Sequence, residues 1–324
     1  METLQTAVPH PQLAAFVSIF AHRETSPGSS AVIQPVIASL EQTLTFELGD
    51  RPVMNFTSGR TIFHPRVYLI GARTTYQGAN CLGGHVLEFG IFFKPFASWQ
   101  LFGIPPAELA ESDGDATGVM GPWVVELWHK LADCRSFSDR TLVATETLLP
   151  FAETTRPLTS IMSTVHRLLP SDEAARIARI ARASSMSIRS YERQFASEIG
   201  ISPKTFARLA RFARAIDMRR ISEDSWLNVC HDLGYFDQMH MIRDFRSFGG
   251  DTPGRLVHTS SDIQPWSVQA PQRVDELGTA VATSLKIHST SCARTNDCPR
   301  NLNRHQIVAT TAQLLERANF QIQH

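Results

Sequence analysis

The sequence predicts an α+β protein of two unlike parts. A β-rich N-terminal domain followed by helices precedes an all-α domain of two helix-turn-helix units on one connecting helix. Three observations carry this. Residues 1–110 break into short apolar or aromatic runs separated by Gly, Asn and Pro, the pattern of a small barrel or sandwich. Ser202 to Arg220 has apolar residues at unbroken helical spacing. The segments on either side of that stretch repeat one another at an offset of 50 residues.

In chain order, the β runs are Val53-Met54-Asn55-Phe56, Thr61-Ile62-Phe63, Val67 to Gly71 and Val86 to Phe93. Ser58-Gly59, His64-Pro65, Gly78-Ala79-Asn80 and Gly83-Gly84 divide them. Residues 111–119 read as a Gly/Asp/Ser-rich loop, and helical stretches follow over about 122–132, 138–151 and 158–169. This makes 111–170 a helical linker region. Pro170-Ser171-Asp172 is the expected hinge, with Ser171 as a cap and Asp172 and Glu173 favourable at the positive end of the next helix.

The domain over 171–258 is organised by Ser202 to Arg220. Ser202 caps it, and Pro203 fits a first turn whose N–H needs no partner. Phe206, Leu209, Ala210, Ala213 and Ile216 form one apolar stripe; Arg208, Arg211, Arg219 and Arg220 lie mostly off it, which predicts a rod with a basic outer side. In the repeat, Ser187 falls on Asp237, Arg193 on Arg243, Phe195 on Phe245, Gly200 on Gly250, Ser202 on Thr252 and Pro203 on Pro253. Ser187, Ser202, Asp237 and Thr252 are thus helix caps, and the two glycines are helix stops. Each copy follows a short helix and a tight turn. Ala174, Ile177, Ala178 and Ala181 lead into Ala183-Ser184-Ser185-Met186; Trp226, Val229, Cys230 and Leu233 lead into Gly234-Tyr235-Phe236. With its own apolar faces and caps, 171–258 is expected to fold alone.

The stretch from about Ser171 to Val257 resembles the DNA-binding domain of AraC/XylS-type bacterial transcription regulators. The resemblance is carried by Ala181, Ser187, Arg193, Phe195, Gly200, Ser202-Pro203, Arg211-Phe212, Ala215, Gly234-Tyr235, Asp237-Gln238, His240, Arg243, Asp244-Phe245, Gly250 and Thr252-Pro253. Cys230 stands where that family usually has alanine. The resemblance implies double-stranded DNA as partner, with a recognition helix from each unit in successive major grooves. It further implies RNA polymerase, a homodimer formed through the 111–170 helices, and a small-molecule effector. Phe92-Phe93-Lys94-Pro95, Leu101-Phe102-Gly103-Ile104-Pro105-Pro106 and Glu108-Leu109 are similar to the sensor region of one subgroup, which implies a cupin-like β domain.

Charge fits this division. Net charge is zero over the 324 residues, yet residues 170–220 hold 11 Lys and Arg against 5 Asp and Glu, the concentration that phosphate contact requires. The five cysteines are odd in number and without close metal-type spacing, which points to a reduced, cytoplasmic compartment. No signal peptide and no run of membrane-spanning length is expected. Residues 259–324 are polar and expected to be disordered, with a hint of a last helix at Ile307, Thr311, Leu314, Leu315 and Ala318.

On the first recognition helix the outward residues are Arg189, Glu192 and Arg193; on the second they are Gln238, Met239 and Ile242, flanked by His240 and Arg243. Arginine suits a guanine edge, glutamine an adenine edge and methionine a thymine methyl. Arg193 and Arg243 equally suit phosphate, or pairing with Glu192 and Asp244. No metal or cofactor is expected. His64, His85 and Glu88 lack the close ligand pattern of a metal cupin; Glu126 and His129 form one Glu-x-x-His without a second; Cys292 and Cys298 lack two further ligands. No catalytic arrangement is legible from spacing. A bifunctional repair enzyme would need an activated cysteine, and Cys81 and Cys134 lack suitable neighbours.

Overall fold

The computed structural model describes residues 2–26, 28, 31–111, 113–168, 173–221, 225–259 and 285–287. The strands are β1 (Glu2–Ala7), β2 (Val17–Thr25), β3 (Val32–Val36), β4 (Gln42–Glu47), β5 (Val53–Phe56), β6 (Thr61–Phe63), β7 (Val67–Ile70), β8 (Gly78–Leu82), β9 (Leu87–Phe93), β10 (Asp113–Asp115) and β11 (Leu285–Ile287). They form two antiparallel sheets, ordered β10-β7-β4-β9-β2-β1-β11 and β3-β8-β5-β6. The helices are α1 (Pro106–Leu109), α2 (Ala116–Met120), α3 (Trp123–Asp133), α4 (Phe137–Glu153), α5 (Glu173–Ala183), α6 (Ile188–Ile199), α7 (Pro203–Ile221), α8 (Trp226–Asp232), α9 (Gln238–Gly249) and α10 (Pro253–Thr259).

The larger sheet is covered on both faces. On one, Phe20, Phe46, Val67 and Phe89 pack against Val124, Leu127, Leu131, Ala144 and Leu148 of α3 and α4 in a single core. Burying that face is the main apolar contribution to the N-terminal domain. The opposite face meets the smaller sheet and is polar. Arg23, Glu88 and Glu47 lie side by side across β2, β9 and β4. Because both faces are covered, β4 is buried along its whole length, with Leu44 and Phe46 on the apolar face and Thr43, Thr45 and Glu47 alternating with them on the polar one. The 111–119 stretch, expected as a loop, holds β10 and all but the last residue of α2. Gly71 lies so close to the Leu109 carbonyl that a Cβ there would fall 1.6 Å from the oxygen; only glycine lets α1 sit on the end of β7.

The third expected helix, 158–169, is instead a 3-10 turn, Met162–Leu168. It leaves the N-terminal core and joins the C-terminal one. Ile161, Met162 and Val165 pack in a single cluster with Ile177, Tyr191, Phe195 and Leu209. The Thr164 hydroxyl meets the Tyr191 hydroxyl at 2.8 Å, and Thr159 donates to Glu198. The same cluster takes in Ala38, Leu40 and Phe96 of the β domain. Of the polar tail, Thr259 closes α10 and β11 pairs with β1 at the sheet edge; the suggested helix near Ile307 lies outside the described residues.

Where the β domain meets α7, Glu41 is buried beside Asp217. Burial first, and the Asp217 charge second, hold its carboxyl well above the usual 4.5. A carboxyl raised in the folded state adds stability below its unfolded value and loses it as pH rises through the folded one. Glu41→Gln is therefore expected to gain melting temperature over the parent as pH rises from about 5 to about 8. A difference constant across that range would contradict it.

Candidate nucleic-acid interface

Both copies of the repeat build a capped helix ending on a left-handed glycine. The Ser187 hydroxyl accepts the Ser190 N–H at 3.1 Å, and the Asp237 carboxylate accepts the His240 N–H at 2.6 Å. Gly200 and Gly250 close the two helices at φ +86° and +79°. Ser202 accepts the Thr205 N–H at 3.0 Å at the start of α7. Before α10, Thr252 takes the Leu256 N–H on its main-chain carbonyl, and Asp251 accepts the Thr252 N–H.

The two turns differ by one residue. Met186 bonds back to the Ala181 carbonyl through a left-handed Ser185, and Tyr235 bonds back to Cys230 through a left-handed Gly234. One residue separates Ser185 from the Ser187 cap, whereas two separate Gly234 from Asp237. The extra residue is Phe236, which is 91% exposed. Cys230 is buried in the position matching Ala181, so the small-for-small exchange keeps the crossing close.

On α6, Tyr191, Phe195 and Ile199 point into the core, which leaves Arg189, Glu192 and Arg193 exposed. On α9, Met241, Phe245 and Phe248 are buried; Gln238, Met239 and Arg243 are exposed, and His240 and Ile242 are half-buried. The two faces differ in character: charged on the first helix, largely neutral and apolar on the second. Arg243 donates its Nε–H to the Met239 carbonyl at 3.2 Å, folded back along its own helix.

The expected basic outer side of the rod is corrected at two of its arginines. Arg208 and Arg211 turn inward to Asp244 of α9, which is fully buried. Arg208 reaches one carboxylate oxygen from Nη2 at 2.6 Å and Nε at 3.1 Å; Arg211 stands 3.8 Å from the other and lies over the Tyr235 ring. A buried carboxylate needs such cations, and they are drawn from the rod. Arg219 lies over Trp226. Asp244 is thus engaged by the rod, and the sequence reading missed this clamp. A signal existed: Asp244 occupies a helical position shared with Met241, Phe245 and Phe248, all of them buried.

The other residues considered at the outset are dispersed. His64 meets Asn80 at 3.1 Å, His85 faces Glu24 at 3.5 Å and Glu88 faces Arg23 at 3.6 Å. Glu126 and His129 are exposed on α3. Among the described residues, no group of three or more His, Cys, Asp or Glu is placed to hold a metal ion. No described helix is long and apolar enough to cross a membrane.

Residues 180–258 match the family described as "Helix-turn-helix domain", and residues 5–115 match "Domain of unknown function (DUF6597)". The C-terminal domain is a DNA-binding helix-turn-helix domain of the type found in AraC/XylS transcription regulators. No curated protein matches the chain. Among solved structures, ToxT from Vibrio cholerae O395 is similar at 9% identity and a TM-score of 0.41, over 80% of this chain and 97% of that one. ToxT of the same strain bound to (E)-4-(8-methylnaphthalen-1-yl)but-3-enoic acid gives 8%, 0.41, 80% and 98%. Unsaturated fatty acid bound ToxT of Vibrio cholerae strain SCE256 gives 10%, 0.41, 80% and 95%. These likenesses are distant, and no residue assignment rests on them.

Proposed function

We propose that the protein is a sequence-specific transcription regulator of the cytoplasm that reads two successive major-groove segments of double-stranded DNA. The carrying observation is the pair of equivalent capped helices, each presenting an outward face from one shared core. The nineteen residues of α7 span roughly 28 Å, close to one turn of duplex. Arg189, Glu192 and Arg193 read the first segment; Gln238, Met239 and Ile242 read the second, with His240 and Arg243 at its flank. A homodimer formed through the 111–170 helices and contact with RNA polymerase complete this reading.

The β domain supports a sensory role. Arg23 donates to Gln34 at 2.7 Å across the two sheets, and the Tyr68 hydroxyl donates to Glu47 at 3.0 Å. His64 stacks on Tyr68 at 4.3 Å. Burial, then the nearby Glu88 charge, holds the Glu47 carboxyl well above its usual range. Its Oε2 has no hydrogen-bond partner among the described residues. A polar interior of this kind is costly unless its groups are hydrogen-bonded, which supports a small hydroxyl- or carbonyl-bearing effector as the ligand class. An enzymatic reading finds less support. Cys81 is buried, and Cys134 donates to the Lys130 carbonyl with its thiol pushed up by burial.

The test of DNA binding is its salt dependence. With several phosphates neutralised, affinity is expected to fall at least about tenfold between 50 and 200 mM salt. Affinity flat across that range would contradict the electrostatic contribution.

A further inference from the structure

The second recognition helix ends on the β domain. The Ala38 amide donates to the Phe248 carbonyl at 2.8 Å, and the Tyr76 amide donates to the Ser247 carbonyl at 3.1 Å. These are last-turn carbonyls of α9, which lack partners within the helix. The Tyr76 ring closes against Gly250, where a Cβ would fall 2.8 Å from it.

Both donors stand just beyond the ends of paired strands. β3 runs out toward Ala38, β8 begins just after Tyr76, and the Gln77 amide bonds the Val36 carbonyl at 3.0 Å between them. Four residues along this ribbon from each donor, Gln34 and Asn80 are direct partners in the β3–β8 register. Gln34 accepts from Arg23, and Asn80 is bonded to His64. The ribbon therefore has its middle pair in the polar interior of the β domain and one end on α9. The first recognition helix is met by a different element. At Gly200, a Cβ would fall 2.5 Å from the Ala110 side chain, just past α1.

We infer that β3 and β8 couple occupancy of the β-domain interior to the second recognition helix. A polar ligand that takes Gln34 from Arg23, or Asn80 from His64, alters what α9 reads and leaves the reading by α6. A ligand shifts such an equilibrium only through contacts that differ between states, and the Arg23–Gln34 bond is one such contact. The inference rests on the sensory role proposed above.

The experiment needs no identified effector. Gln34→Ala in the full chain mimics loss of the Arg23 bond, and Thr61→Val removes a polar pair of the same sheet, Thr61 to Asn55 at 3.0 Å, that lies off the ribbon. Hydrogen exchange at the Ala38 and Tyr76 amides is expected to rise on the order of tenfold in Gln34→Ala, as for loss of one or two hydrogen bonds, and to stay unchanged in Thr61→Val. In binding-site selection from a random duplex library, base preference should relax in the segment read by α9 alone. Coupling is reciprocal, so Tyr76→Ala should raise exchange around Gln34 and serves if Gln34→Ala folds poorly. Equal exchange in the two β-domain variants, or relaxed preference in both DNA segments, would overturn the inference. Failure of the parent protein to select any sequence would instead overturn the DNA-binding reading, and the exchange measurements would still decide the coupling.

Discussion

Asp244→Ala is expected to destabilise the C-terminal domain by about 3 kcal/mol, the lower part of the range for breaking a buried ion pair. Asp244 is fully buried and holds Arg208 and Arg211. Its removal leaves Arg211, itself buried, facing a site without a carboxylate. Arg208 is 31% exposed and can turn to water, which keeps the figure low. Because the clamp joins α7 to α9 only, reading by the second unit should weaken before reading by the first. Urea unfolding of the full chain checks the energy, and an effect below about 1 kcal/mol, the scale of a surface pair, would show the clamp to be dispensable.

The second large effect concerns where the DNA-binding domain begins. A fragment starting at residue 171 lacks Ile161, Met162 and Val165, each buried against the helices. At roughly 1.5–3 kcal/mol for each buried apolar side chain, the loss is comparable with the whole stability of a small domain. It also strips the Tyr191 hydroxyl of Thr164. A fragment of residues 159–259 is expected to melt cooperatively, and one of 171–259 to be largely unfolded or to melt well below it. Equal melting temperatures would place the boundary at the Pro170 hinge after all.

These two results mark what was legible. The duplication was readable because caps, left-handed glycines and core aromatics are local requirements, repeated at one offset. Phe195, Phe212 and Phe245 are fully buried, and Trp226 is partly buried. The strands at Val53–Phe56, Thr61–Phe63, Val67–Ile70 and Leu87–Phe93 were legible from their bounding turns. β2 was not, because burial on both faces leaves Val17 to Thr25 without clean alternation; β4 was passed over although Leu44 and Phe46 alternate with Thr43, Thr45 and Glu47. The rod was read as half solvated, yet Ala207, Phe212 and Ala215 are buried along with the expected stripe; units packed on both of its sides leave it little free face. The burial of Asp244 was legible from its helical position, but its partnership with the rod, and that of Ala38 and Tyr76 with α9, joins residues far apart in sequence, which no local pattern announces. The outward faces of α6 and α9 were legible from helical spacing, but which bases they meet is not encoded in spacing.

The central claim is that the two equivalent helices read two separate DNA segments. Binding-site selection with Arg189→Ala and Gln238→Ala tests it most directly, since both side chains are exposed and their loss should leave the core intact. Each variant is expected to relax base preference in one segment only, by about 1–3 kcal/mol where the lost contact is bidentate, with the two segments centred roughly 10 base pairs apart. Changes at the same base pairs in both variants, or at none, would contradict the account and leave the duplication with a single working reader.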